Sequence, residues 1–280
     1  MKKKNRVFTA LLCVFLLAAG TAGCGNKEAQ PEKLTAESLI RQVQEKTDAM
    51  QSMETHADIL IDMSGEALSS IGGSLSMDMD LDMQTTSEPI ASYVRGTLSA
   101  LIMNTDIESY TVLGEKDELL TYVGTQGQWT LQRIPFNQSA AESIDNTADE
   151  ILQNIDSITL AEETTSVDGE EAYILSGTIT GEDVTELMGA AGSIVGDYTG
   201  GSQIDLSGLS VDIEYAVSAE RMLPLYTNLV FHGTEGLTGT EEVQITGMTM
   251  KMTNTGFDTV DSITVPQEVI DQAQEINAGQ

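Results

Sequence analysis

The chain has 280 residues and a formal net charge of −31, with 40% apolar and only 5% aromatic residues. That length and apolar content can build a core without disulfides, whereas the charge excludes nucleic acid as a partner and leaves anionic headgroups repelled by the body. Two cysteines, Cys13 and Cys24, give no framework of cross-links.

Lys2, Lys3, Lys4 and Arg6 precede an apolar run from Val7 to Ala19, which has the length of a signal-peptide core and is too short to span a bilayer. Thr21, Ala22 and Gly23 then lead into Cys24. Small residues before a cysteine resemble a lipobox, with Thr21 where leucine is favoured. Residues 1–23 are thus expected to be a lipoprotein signal peptide, and Cys24 the site of diacylglycerol attachment and fatty acylation such as palmitate. The other reading is ordinary cleavage after Ala22, releasing a soluble chain. Acylation accounts for the one cysteine left after cleavage. Two acyl chains suffice to hold a protein at a membrane, so the expected place is the extracytoplasmic face of the cell membrane. Residues 24–33 are polar, contain Pro31 and lack periodicity, as a flexible tether does, with a mean reach of about 15–20 Å.

The remainder, residues 34–280, reads as one domain. Thr35 suits an N-cap, and Leu39, Ile40, Val43, Met50 and Met53 recur at helical spacing, predicting a helix to Met53. The period then becomes two. Ala57, Ile59, Ile61 and Met63 alternate with His56, Asp58, Leu60 and Asp62; Leu75, Met77, Met79, Leu81 and Met83 alternate with Ser76, Asp78, Asp80, Asp82 and Gln84. Half-buried antiparallel strands follow from this pattern. Further strands are expected near 92–102, 109–113, 119–124 and 129–134, with a turn at Gly124 to Gly127 and a stop at Pro135.

A second helix is expected over 139–155, burying Ile144, Ile151, Leu152 and Ile155. A hairpin turns at Asp168 and Gly169, and Ala172 to Ile179 returns from it. A third helix, Gly181 to Val195, and a loop from Gly196 to Ser207 precede strands at 209–218, 224–232 and 241–254. In the last, Val243 and Ile245 have one parity and Met248, Met250 and Met252 the other; a bulge at Gly247 would bring them to one face. Pro266 opens a terminal helix over 267–277. The fold class is α+β: a large curved antiparallel sheet of roughly ten strands packed on a few helices.

The order of these elements, with Tyr93-Val94-Arg95, Tyr122-Val123, Gln128-Trp129, the run from Asp168 to Tyr173, Ser176-Gly177-Thr178-Ile179 and a strand anchored by Pro224, resembles extracytoplasmic lipoproteins of the LolA/LppX-type fold, in an uncharacterised Gram-positive branch. The resemblance implies a half-barrel sheet over helices, enclosing an apolar cavity for a lipid or acyl chain. It transfers no ligand residue, because such cavities are walled by apolar side chains in general.

The residues themselves nominate Ile61, Met63, Met77, Met79, Leu81, Met83, Met248, Met250 and Met252 as a cavity wall, since methionine adapts to varied apolar partners. Two other readings stand beside it: ordinary core under the helices, and Cu(I) binding through Met-x-Met spacing, which no cysteine or histidine supports. Asp78, Asp80 and Asp82 form a solvated acidic strand face or a weak cation site across strands; one straight strand cannot converge three carboxylates on one ion. His56 and His232 stand outside any catalytic motif, and the chain has no G-x-S-x-G, H-E-x-x-H or phosphate loop. The expectation is a non-catalytic protein without cofactor or metal that binds an apolar ligand. The alternative is a surface adaptor or sensor whose acidic exterior meets a protein partner.

Overall fold

The computed structural model describes residues 34–101, 103–115, 118–136, 151–180, 184, 208–234 and 243–276, all within one compact unit, Leu34–Gln280. The expected helix over 139–155 lies outside these residues except at its end, as does that over 181–195 except for Val184, and the 196–207 loop falls outside them altogether.

Helix α1 (Ala36–Thr47) starts where the cap chemistry says it should: Thr35 and Ser38 exchange side-chain and backbone hydrogen bonds as a capping box. Glu37 pairs with Arg41 one turn on, and Leu39, Ile40 and Val43 are fully buried. The helix stops at Thr47, earlier than its apolar spacing predicts. Met50 lies in the connection, and Met53 already pairs with Thr85 and Phe257 in the sheet. The Gln51 N–H donates to the Asp258 carboxylate at 2.7 Å, which turns the chain out of the helix and into that ladder.

The strands are β1 (Ser52–Ser64), β2 (Ser74–Ser87), β3 (Ile90–Ala100), β4 (Met103–Leu113), β5 (Glu118–Thr125), β6 (Gln128–Pro135), β7 (Ile158–Leu160), β8 (Thr165–Val167), β9 (Glu170–Thr180), β10 (Ser210–Ser218), β11 (Pro224–His232), β12 (Gln244–Phe257) and β13 (Gln274–Glu275). They form one 13-stranded sheet in the order β13-β6-β5-β4-β3-β2-β1-β12-β11-β10-β9-β7, with β8 also on β9. All pairings are antiparallel except β13 on β6. The count exceeds the ten expected because β7, β8 and β13 are two or three residues long, too short to show a period.

Two hairpins turn on the residues that the sequence marks. Gln126 and Gly127 have φ of 52° and 77°, and Asp168 and Gly169 have 51° and 88°, the left-handed pair that a two-residue hairpin requires. The bulge in β12 is present: Asp62 faces Gly247 whereas Met63 faces Ile245, leaving Thr246 as the extra residue. Ile245 and the three methionines consequently share the side that packs on the main core.

That core lies over one half of the sheet. Leu39, Ile40 and Val43 of α1, with Ile151 and Val184, pack on Leu175, Ile179, Val211, Ile213, Tyr215, Leu229 and Phe231. A second cluster sits on the opposite face, where α2 (Gln267–Gln272) places Val269 against Tyr122 and Leu131, with Tyr110, Trp129 and Val265 around them. Helix α2 is shorter than predicted because Ala273 turns extended and β13 joins the sheet edge. Helical cover is therefore split between the two faces rather than gathered on one.

Candidate ligand-binding face

Cross-strand partners in an antiparallel sheet share a face, so the register assembles the nominated residues. Ile59 is opposite Met79 on one side and Met250 on the other; Ile61 is opposite Met77 and Met248; Ala57 is opposite Leu81 and Met252; Met63 is opposite Leu75 and Ile245. The rows continue into the core, Met250 facing Leu229 and Met248 facing Phe231. Every residue proposed for the wall thus lies on the α1 side of the sheet, with Met83 at the end of β2 on the same parity. Ile59, left out of the nominated set, sits at the centre of a row and has the same parity as Ile61.

Burial changes along these rows. Ile213 and Leu229 are buried, and Met248, Met250 and Met252 pack against the α1 cluster. Ile59, Ile61, Met63, Leu75, Met77, Met79, Leu81 and Met83 are all half-buried, in strict alternation with exposed Ser76, Asp78, Asp80 and Asp82 on β2. Leu98 of β3, opposite Met79, extends the half-buried area. Met248, Met250 and Met252 are half-buried as well, so the expected wall has one level of burial throughout, and its β12 part differs from β1 and β2 in lying against the α1 cluster. Two open grooves elsewhere, of about 420 Å³ along Ser176, Asp212, Glu214 and Asn228 and about 530 Å³ around Glu170, Tyr173 and Glu220, include none of these methionines.

The opposite face of the same strands is polar. His56 Nδ1 lies 3.1 Å from Asp82 and its Nε2 lies 3.4 Å from Asp58, while Arg95 reaches Asp82 at 3.4 Å. The hydrogen bond that the His56 imidazole donates to the Asp82 carboxylate raises the His56 pKa above its ordinary value and holds Asp82 below its own. His56, Asp58 and Asp80 bring ligand atoms within 4.8 Å of one another. Pairing across β1 and β2, rather than the run along β2, makes that approach; Asp58 and Asp80 are exposed, and the half-buried His56 is already engaged with Asp58 and Asp82. Tyr93 and Tyr110 both donate to Glu108 at 2.9 Å, and burial pushes the Tyr110 hydroxyl far up.

On β9 to β11, Asp212 accepts from Thr178 at 2.6 Å and contacts His232 at 2.8 Å. The carboxylate stands between hydroxyl and imidazole, so the imidazole is not placed to take the hydroxyl proton, as nucleophile activation requires. Glu170 binds Arg221 through both oxygens and also accepts from Ser218, which lowers its pKa. Both arrangements tie strands together. Among the described residues, no helix is long and apolar enough to cross a membrane.

The chain is an α+β protein built on a large open antiparallel sheet with few helices. It belongs to the family of unknown function DUF6612, which its residues 35–274 match. No curated protein matches it. Among solved structures it is similar to the lipoprotein LppX of Mycobacterium tuberculosis (13% identity over 81% of this chain and 97% of that one, TM-score 0.43). It is similar also to LprF of Mycobacterium bovis (12%, 82% and 96%, TM-score 0.37), and to a putative outer membrane lipoprotein-sorting protein domain from Vibrio parahaemolyticus (11%, 83% and 96%, TM-score 0.26).

Proposed function

We propose that the chain is an extracytoplasmic lipoprotein, held to the membrane by diacylglycerol on Cys24, that binds an acyl chain or similar apolar ligand without catalysis. The observation that carries this reading is the half-buried apolar face of β1 and β2. Core residues at these positions would be closed off by packing; here Met77, Met79, Leu81 and Met83 retain exposure along a stripe of about 20 Å, the length of a seven-residue strand segment. A stripe of that length, bordered by half-buried Ile59 and Ile61 on β1 and Leu98 on β3, matches an extended hydrocarbon chain, and thioether side chains adjust to it at little cost. The reading of residues 1–23 as a signal and of Cys24 as lipidated supports this function, since such an anchor would keep the surface beside the membrane, where such chains are found.

The test is uptake of a fluorescent fatty acid by the delipidated protein. Saturable binding is expected, weakened by at least about tenfold in Met79→Glu, where a carboxylate would have to be buried against hydrocarbon; the variant should keep its circular dichroism, because Met79 is not part of the closed core. A folded protein that takes up no acyl probe contradicts the proposal. The adaptor reading has its own support in the exposed Asp58, Asp78, Asp80 and Asp82 on the other face, and predicts salt-sensitive capture of a cationic protein.

A further inference from the structure

We infer that one end of the sheet, formed by the β3–β4 turn and the β1–β2 connection, is a contact surface for a phospholipid bilayer. Pairing of Ala100 with Met103 leaves a two-residue turn whose first residue is Leu101. Leu101 has φ of 57°, a left-handed conformation in which glycine, asparagine and aspartate are at ease and leucine is strained. Two other two-residue turns with left-handed residues among those described, Gln126-Gly127 and Asp168-Gly169, use polar and glycine residues there. Strain of this kind is usually offset by packing, yet Leu101 is 62% exposed and Met103 67%. Two large apolar side chains are therefore held out into solvent at a local conformational cost.

Leu101 and its flanking pair Ala100 and Met103 carry no charge, the nearest carboxylates along these strands being Asp78, opposite Ser99, and Asp106, opposite Thr97. Ser64 pairs with Ser74 and Met77 with Ala100, so the 65–73 connection lies beside the β3–β4 turn at the same end of the sheet. It carries Ile71, 42% exposed, and Glu66 as its one charge; the β5–β6 turn at that end, Gln126 and Gly127, has none. The opposite end of these strands holds Asp48, Glu88, Glu115 and Asp258, and the apolar side chains exposed there, Ile90, Leu113 and Ile134, are less exposed than Leu101 and Met103 and stand beside Glu88, Glu115 and Arg133. An anionic leaflet repels that end and tolerates the other. The choice of a bilayer as occupant rests on the reading of Cys24 as lipidated, since a tether of residues 24–33 keeps the body within about 15–20 Å of the membrane. With the apolar end turned to the lipid, Met77, next to Ala100 in register, begins the stripe proposed to hold an acyl chain.

Trp129, the single tryptophan, supplies a constant background for an introduced reporter. Met103→Trp and Glu115→Trp are compared with the parent protein in vesicles of brominated phosphatidylcholine and phosphatidylglycerol, with Cys24 intact and with Cys24→Ser at high vesicle concentration. Excess quenching at position 103 and none at 115 is expected in both forms, reduced when Leu101→Asn is added. Equal quenching at the two positions, or none at either, overturns the inference. Self-association without vesicles that Leu101→Asn abolishes would assign the surface to a second copy and overturn it equally. Vesicle flotation of the parent against Cys24→Ser tests the anchor separately, so loss of the anchor and loss of the contact surface are told apart.

Discussion

His56 shows how a single side chain can be positioned by the strand register. Its pairing with Asp82 across β1 and β2 brings the imidazole to a carboxylate that Arg95 also holds. Because the His56 pKa is raised, the contact's contribution is complete below the 6.5 of a free imidazole and is lost as pH rises through the raised value. Asp82 is lowered, so its share is complete above the ordinary 3.8 and lost as pH falls through the depressed value. The pair therefore stabilises most between those ordinary values, and its exposure limits the effect to less than about 0.5 kcal/mol. Titration of the His56 ring protons by NMR should give a midpoint above 6.5 that falls in Asp82→Asn; a midpoint at or below 6.5 in the parent contradicts the contact.

At the level of elements, long alternation was the most legible signal. Strand β2 and residues 211–215 of β10 follow their patterns closely, with one face against apolar neighbours and one in water, whereas Ala216 of β10 and Leu225 of β11 are buried in a separate apolar cluster. Local pattern fails where a tertiary partner decides. The apolar residues Met50 and Met53 continue the period of α1, yet the ladder with β2 and β12 claims Met53. The candidate site divides in the same way. Parity alone places Met77, Met79 and Met250 on one face, but nothing in their spacing reveals that α1 covers β9 to β12 and leaves β1 and β2 half-open, or that α2 packs on the reverse side. Helix α1 is thus the element on which the division depends. Thr35→Ala removes its capping box and should lower stability by about 1 kcal/mol, read as a shift of the urea midpoint without a change in slope; an unchanged midpoint would show that packing of Leu39, Ile40 and Val43 holds the helix without its cap.

Considered whole, the molecule separates its surfaces by chemistry. One sheet face grades from closed core to half-open hydrocarbon, whereas the other carries carboxylates with a few cations on β1 and β2 and the apolar cluster under α2 on β5 and β6, and the turns at the two ends of β1 to β5 differ in charge. The acidic side chains on the central strands β1 and β2 also oppose face-to-face association between copies. The sheet links these surfaces directly, since Ile59 joins the half-buried Met79 to Met250 of the core while its neighbours His56 and Asp58 point to the acidic side.

The central claim is that the open part of the apolar face takes a hydrocarbon chain. Methyl-labelled methionine NMR, during titration of the folded protein with a long-chain fatty acid, measures this directly. Saturable shifts at Met63, Met77, Met79 and Met83, with Met222 at the far turn unmoved, are the predicted result. Unshifted signals from the β1 and β2 methionines while the fatty acid binds elsewhere, or no binding at all, would contradict the account.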